Sequence, residues 1–165
     1  MSAKIETYNK IREKIIEETY IKHCLLYNSQ FDNMEQEDTF PFPCAFIEFS
    51  QLNYITKQEG LQEADAIIRI YVGDESLRRE SLSIIEYMEE IHSSLQGYSA
   101  DNLFTPLNRV FEGQDTNHDN VRVWVMDYET LIYDLSGHRN NKRIKTSIKD
   151  VCINVDSGKP WLKRM

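Results

Sequence analysis

The 165-residue sequence contains no apolar stretch that approaches the roughly 20 residues of a membrane-spanning helix. Its six glycines are scattered singly, so no glycine-rich phosphate-binding loop precedes a helix. The three cysteines, Cys24, Cys44 and Cys152, form no Cys-x-x-Cys pair. We therefore expect reduced thiols, no structural zinc and no cofactor. The amino terminus carries no apolar signal-peptide core, which predicts an intracellular protein without membrane association.

Motifs for catalysis or metal binding are also absent. The four histidines are far apart, and no nucleophile motif accompanies His118. Residues 115–119 copy the start of an EF-hand loop, but Asn120 and Met126 occupy the positions that require Gly and Glu. We predict a hairpin turn there rather than a calcium site. The sequence thus indicates no catalytic, cofactor-binding or metal-binding residue and a protein that is not an enzyme.

Three carboxylates fall on predicted strands, namely Asp65, Asp127 and Glu129. Carboxylates on strands usually lie on the wet, solvent-exposed face of a sheet, and we interpret these three residues in this way. A small hydrolase that uses scattered acidic ligands stays open as an alternative. The absence of heat on titration with magnesium, manganese or calcium would exclude it.

Apolar residues make up 41% of the chain and charged residues 28%, which fits one globular domain with a real core. The charge is unevenly distributed. Residues 1–135 hold 11 Lys/Arg against 25 Asp/Glu, whereas residues 136–165 hold 8 against 2. We predict a single acidic domain over 1–135 and a basic arm or extension over 136–165.

Two stretches carry apolar residues at helical spacing. They predict an amphipathic helix over 4–20 and a longer helix over about 76–95, closed by Gly97. The predicted apolar stripe of the first helix is Ile5, Tyr8, Ile11, Ile15, Ile16 and Thr19. That of the second is Leu77, Ser81, Ile84, Ile85, Met88, Ile91 and Leu95.

Short β-prone runs predict strands at 23–27, 44–49 and 64–72, and a hairpin of 107–113 with 121–133. Residues 53–63 are predicted to form a loop. Alternation within 64–72 indicates an antiparallel sheet with one buried and one wet face. The predicted fold is α+β: a mostly antiparallel sheet, with the amino-terminal helix and one long central helix packed on one side.

Four cations and three aromatic residues are the candidate interaction residues. The cations Arg139, Lys142, Arg143 and Lys145 lie in the densest basic stretch, and the aromatics Phe40, Phe42 and Trp124 suit either the core or a subunit interface. The basic stretch suits phosphates, an acidic neighbouring subunit, or the acidic body of its own chain. No aromatic residues interleave with it to stack bases. A nucleic-acid-binding or -processing protein is therefore the alternative function, and binding to DNA that requires residues 136–165 would favour it.

The order of these elements resembles the tail-terminator (tail-completion) proteins of long-tailed bacteriophages and their prophage copies. The resemblance covers roughly residues 4–134. It rests on a first amphipathic helix, the aromatic strand 41–49 after its prolines, the strand 64–72, the helix 76–95 and the hairpin that ends at 127–134.

This resemblance implies a subunit without a catalytic site that forms a ring, commonly a hexamer. The ring caps the tail tube, stops its growth and presents a surface to the head connector. The implied partners are further copies of the chain, tail-tube and head-connector proteins, and DNA that passes through the lumen without specific binding. The implied location is the host cytoplasm during assembly and then the tail or neck of the virion. An acidic lumen would let DNA slide, and the acidic domain supplies that charge.

Overall fold

A computed structural model describes residues 2–32, 40–57, 60–75, 82–116, 118 and 121–137. Within these ranges the chain forms α1 (Ala3–Glu18), β1 (His23–Leu26), β2 (Cys44–Thr56), β3 (Gln62–Asp74), α2 (Ser83–Leu95), β4 (Asn108–Asp115) and β5 (Arg122–Asp134). The predicted α+β class is confirmed. No helix in those ranges is both long enough and apolar enough to cross a membrane.

The five strands form one open sheet in the order β1-β2-β3-β5-β4. β1 pairs with β2 in parallel, and the other three pairs are antiparallel, so the sheet is mixed. The predicted hairpin of β4 and β5 is confirmed. The loop predicted over 53–63 was wrong at both ends, because β2 and β3 stay paired as far as Thr56 and Gln62. Backbone pairing continues there although the side chains of β2 are polar or exposed.

Helix α1 buries one stripe against the sheet because its inward residues recur every four positions. The buried residues are Ala3, Thr7, Ile11 and Ile15. Ile5, which the sequence placed on this stripe, is more than half exposed. Thr19 follows the helix as its carboxy-terminal cap, and its N–H and hydroxyl both donate to the Ile15 carbonyl oxygen, at 3.1 and 2.8 Å.

Helix α2 is shorter than expected, and this corrects the predicted long central helix. It has 13 residues against 16 in α1, and Leu82 before it has non-helical backbone angles. Residues 76–81, where the helix was predicted to begin, lie outside the described ranges. Ile84, Met88, Ile91 and Leu95 form its buried stripe. Gly97 follows at φ +76, a left-handed conformation that glycine adopts without strain, and its N–H bonds to Leu107.

The main core lies between both helices and one face of the sheet, which we call the helix face. Alternate residues of β3 point into it, namely Ala64, Ala66, Ile68, Ile70 and Val72. Met126, Tyr128 and Ile132 of β5 continue the same layer. The period-two alternation of a strand produces this arrangement, and the predicted packing of both helices on one side is confirmed.

The opposite face, called the second face, is not uniformly wet, and this corrects the expectation of one solvated side. An aromatic cluster covers one end of it. Tyr27, Phe31, Phe40, Phe42, Phe46 and Tyr71 form this cluster, together with Cys44, Val121, Val123 and Val125. Chain segments 27–32 and 40–43 carry the covering rings, so the sheet is sandwiched at this end and open at the other.

Candidate assembly and docking surfaces

A row of polar side chains crosses the second face where the aromatic cluster ends. Arg69 on β3 and Asp127 on β5 are register partners. Arg69 Nε and Nη2 donate to the two Asp127 carboxylate oxygens at 2.7 and 2.8 Å. This bidentate geometry is the strongest form of such a pair, and the hydrogen bonds raise the pKa of the Arg69 guanidinium. The pair is therefore a fixed structural element that leaves neither charge free for chemistry.

Tyr71 extends the polar row toward β2. Its hydroxyl donates to Glu48 Oε2 at 2.9 Å. Burial, and then this hydrogen bond, raise the pKa of Tyr71. The phenol thus stays protonated at neutral pH and acts as a hydrogen-bond donor that positions the Glu48 carboxylate.

The open end of the second face forms a trough with a volume of about 300 Å³. Ile67 and Leu131 provide an apolar floor between two exposed carboxylates, Asp65 and Glu129. Neither carboxylate has an ion-pair or hydrogen-bond partner among the described residues. The trough therefore offers uncompensated negative charge beside apolar surface.

The rim of the trough is held rigidly against β5. Thr105 N–H donates to the Leu131 carbonyl oxygen at 3.0 Å, and Leu131 N–H donates to Thr105 Oγ1 at 2.9 Å. Thr130 Oγ1 donates to the Thr105 carbonyl oxygen at 2.6 Å. These bonds continue the ladder of β5 past Asn108, the first residue of β4, so the trough is preformed in the folded chain.

The outer edge of β4, called the β4 edge, exposes two adjacent apolar side chains. Val110 and Phe111 are 51% and 52% exposed. They sit at a break in the register between Arg109 and Phe111, where Val110 is the extra, unpaired residue. Such a bulge re-aims side chains, which is why two neighbours in one strand both reach solvent. Among the described residues, β4 pairs only with β5.

The opposite side of the sheet also has an open edge. β1 pairs only with residues 44–47 of β2, so the remainder of β2 has no pairing partner on that side within the described part of the chain. Tyr54 and Ile55 in this unpaired half are 40% and 52% exposed. We call it the β2 edge. The chain thus presents two different apolar edges on opposite sides of one sheet.

The aromatic residues predicted for an interface lie mainly in the cores. Phe40 and Phe42 are half-buried in the aromatic cluster, and Trp124 packs against the main core. Their interface role stays a prediction. Arg139, Lys142, Arg143 and Lys145 lie outside the described residues.

His92 and His118 lie beside other polar side chains of the fold, whereas Asp127, which was expected on the wet face of the sheet, is only 8% exposed. His92 Nδ1 lies 3.4 Å from the Tyr128 hydroxyl at the margin of the main core. His118 is nearly buried, with Nε2 3.3 Å from Asp115 Oδ2 and Nδ1 3.7 Å from Asp32 Oδ1. Within the described ranges, no three His, Cys, Asp or Glu side chains are grouped so that they could hold a metal ion.

Cys24 and Cys44 are free thiols buried in the two cores. Burial raises the pKa of each to about 12. Reactive thiols need a lowered pKa and access to solvent, so these two are inert packing residues. Cys152 lies outside the described part of the chain.

Sequence reasoning missed both open edges and the trough. A signal for the β4 edge was present, because Val110-Phe111 interrupts the alternation expected of a strand. No comparable signal existed for the trough. Its members come from β2, β3, β5 and the lead-in to β4, and only the sheet order brings them together.

Solved structures include chains that are similar to this one, whereas the sequence comparisons find none. No protein-family profile matches the chain. A search of curated proteins also finds no match. A chain of the solved structure titled "Virion of native gene transfer agent (GTA) particle" aligns over 68% of this chain and 78% of its own length, with 8% identity and a TM-score of 0.43. Similarity at this level carries no argument about function, so the class defined here is an open α+β sheet protein with two apolar edges.

Proposed function

We propose that this chain is a structural subunit of a phage-type particle that acts by assembly and not by catalysis. Its specific role is that of a tail terminator, which caps the tail tube and joins it to the head connector. The order of helices and strands in the structure is the order on which the sequence resemblance rests. The observation that carries the proposal is the pair of open, apolar edges at opposite ends of one sheet.

Two different edges on one subunit favour a ring over a two-fold dimer. A two-fold interface uses the same patch on both copies, whereas a head-to-tail interface joins two different patches and closes when the rotation permits. The β4 edge supplies Val110 and Phe111, and the β2 edge supplies Tyr54 and Ile55. The bulge at Val110 disfavours uninterrupted strand pairing, so the proposed contact rests on side chains.

The proposed partners follow from this role. They are further copies of the chain in the ring, tail-tube and head-connector proteins at its two faces, and DNA that passes through the lumen without specific binding. The proposed location is the host cytoplasm during assembly and the virion tail or neck afterwards. The acidic balance of residues 1–135 supports a lumen from which DNA is repelled.

The first test measures native mass across a range of protein concentrations. We expect a discrete cyclic multiple of the 19.5 kDa subunit. The double variant Val110→Lys, Phe111→Lys should dissociate it, because lysine in a desolvated apolar contact weakens association at least roughly 30-fold. Ile85→Lys is the matched control, since Ile85 is 45% exposed on α2 and lies on neither edge.

Two outcomes would contradict the proposal. Oligomers that persist in the Val110→Lys, Phe111→Lys variant would show that the β4 edge is not the contact. A wild-type protein that stays monomeric at every concentration would contradict assembly of the chain into a ring by itself.

A further inference from the structure

We propose that residues 138–145, the most basic part of the carboxy-terminal arm, dock in the trough on the second face of the same chain, where Asp65 and Glu129 bind the cations of this segment. This inference concerns a single subunit and does not depend on the proposed ring. The arm would occupy the trough, and its positive charge would be attracted by the negative charge of the domain.

The position at which the chain leaves the sheet supports docking within one copy. β5 ends at Asp134, and the backbone then passes so close to the β2–β3 connection that a Cβ at Gly137 would lie 2.6 Å from the Gly60 carbonyl oxygen. Asp134 and Glu129 are five residues apart along β5, a distance of about 17 Å. Residues 138–145 span at most about 28 Å when extended. The arm is therefore long enough to reach both carboxylates of its own chain.

The charges of the trough and the arm are complementary in sign and spacing. Glu129 is the register partner of Ile67, two positions from Asp65 on the neighbouring strand. Carboxylates so placed on a sheet lie diagonally, roughly 7–8 Å apart. Cations two residues apart on an extended chain, such as Arg143 and Lys145, are separated by about 7 Å. One arm can thus bring a cation to each carboxylate.

The apolar floor suits the long side chains of the arm. Lys and Arg carry aliphatic stems that cover apolar surface while the charged head stays in water or meets an anion. Ile67 and Leu131 lie between the two carboxylates and provide that surface. The β4 edge is a poorer site, because its neighbouring carboxylates Glu112 and Glu89 are already paired with Arg109, at 2.7 and 3.9 Å.

A zero-length carbodiimide cross-link on the full-length chain tests this directly. We expect amide bonds that join Lys142 or Lys145 to Asp65 or Glu129, identified by mass spectrometry. A mixture of unlabelled and ¹⁵N-labelled protein distinguishes links within one chain from links between copies. Links within one chain support the proposal, and links only between copies overturn it.

Tryptic cleavage after Lys142, Arg143 and Lys145 provides a second readout. The double variant Asp65→Asn, Glu129→Gln should be cleaved at least about 3-fold faster than wild type, the size of effect expected from two solvent-exposed ion pairs. The variant Glu17→Gln, Glu86→Gln removes the same charge from exposed positions on the two helices and should be cleaved at the wild-type rate. Raising the salt concentration on the wild-type protein should reproduce the faster cleavage without any substitution.

Equal cleavage rates in both double variants and in high salt would overturn the proposal, whether or not a substitution disturbs folding. So would an arm that is cleaved rapidly in every variant and becomes protected only when DNA is added. That result would instead assign the basic arm to nucleic acid.

Discussion

At the scale of single residues, the second face holds two kinds of charge with different roles. Arg69 and Asp127 satisfy each other through two short hydrogen bonds, and Asp127 is only 8% exposed. Asp65 and Glu129 are exposed, and no described residue pairs with them. A buried charge that loses its partner destabilises the fold, whereas an exposed one does not. The Arg69–Asp127 pair therefore contributes to stability, whereas Asp65 and Glu129 are available for binding.

Asp127→Asn should lower the free energy of unfolding by about 1–2 kcal/mol, because the Arg69 guanidinium loses a charged bidentate acceptor. We take the lower part of the usual range, since Arg69 is one-third exposed and solvent screens the pair. Urea denaturation measures the effect. Asp65→Asn on the same face is the control and should change stability by less than about 0.5 kcal/mol. Equal effects of the two substitutions would show that the Arg69–Asp127 pair adds nothing.

At the scale of elements, chain segment 27–32 can cover the second face because the Phe31 ring packs against Gly73 of β3, which has no side chain. A Cβ at Gly73 would lie 2.6 Å from the Phe31 ring and 3.0 Å from Cys44 Sγ. Glycine in β3 thus makes room for segment 27–32 to lie on the sheet. The absence of a side chain at this one position lets the aromatic cluster close over Phe46 and Tyr71.

Gly73→Ala should destabilise the protein by about 1–3 kcal/mol, because the added methyl group forces the Phe31 ring away from the sheet. In a Phe31→Ala background the same substitution should cost clearly less, since the ring that it meets is gone. Urea denaturation of the wild type, both single variants and the double variant measures this coupling. A Gly73→Ala cost that is unchanged in the Phe31→Ala background would place the strain elsewhere.

At the scale of the whole molecule, buried acids that are neutral in the fold set an alkaline limit to stability. Burial raises the pKa of Cys24 and Cys44 to about 12, and it also raises the pKa of Tyr71 and Tyr128. These groups lie in both cores. An acid whose pKa is higher in the folded state stabilises the fold fully below its unfolded pKa, and this contribution is lost as pH rises toward the folded pKa.

Stability should therefore fall as the pH rises above about 8.5, the ordinary pKa of a thiol, toward 12. Each buried thiol should account for roughly 1–2 kcal/mol of the loss by pH 10. Thermal unfolding between pH 7 and pH 10.5 measures the slope. The variant Cys24→Ala, Cys44→Ala should be less stable at pH 7 but show a shallower alkaline slope. An unchanged slope would assign the loss to the tyrosines alone.

Local patterns predicted most elements of the fold. The four-residue recurrence of Ile11 and Ile15 indicated α1, and the alternation of Ile68, Ile70 and Val72 indicated the inward side of β3. Both signals depend only on the spacing of apolar residues within one element. They can therefore be recognised without knowing which other elements pack against it. The second half of β2 was missed because its polar side chains resemble those of a loop and only pairing with β3 reveals the strand.

By itself, the sequence determined the class, the helix stripes, the inward side of β3 and the opposite charges of the domain and its carboxy-terminal segment. Each of these depends on composition or on spacing along the chain. The tertiary structure alone decided that β3 lies beside both β2 and β5, that Gly73 receives Phe31, and that Asp65 and Glu129 share one trough. These features join residues far apart in the chain, and such neighbours are set by strand order and register, which local periodicity does not specify.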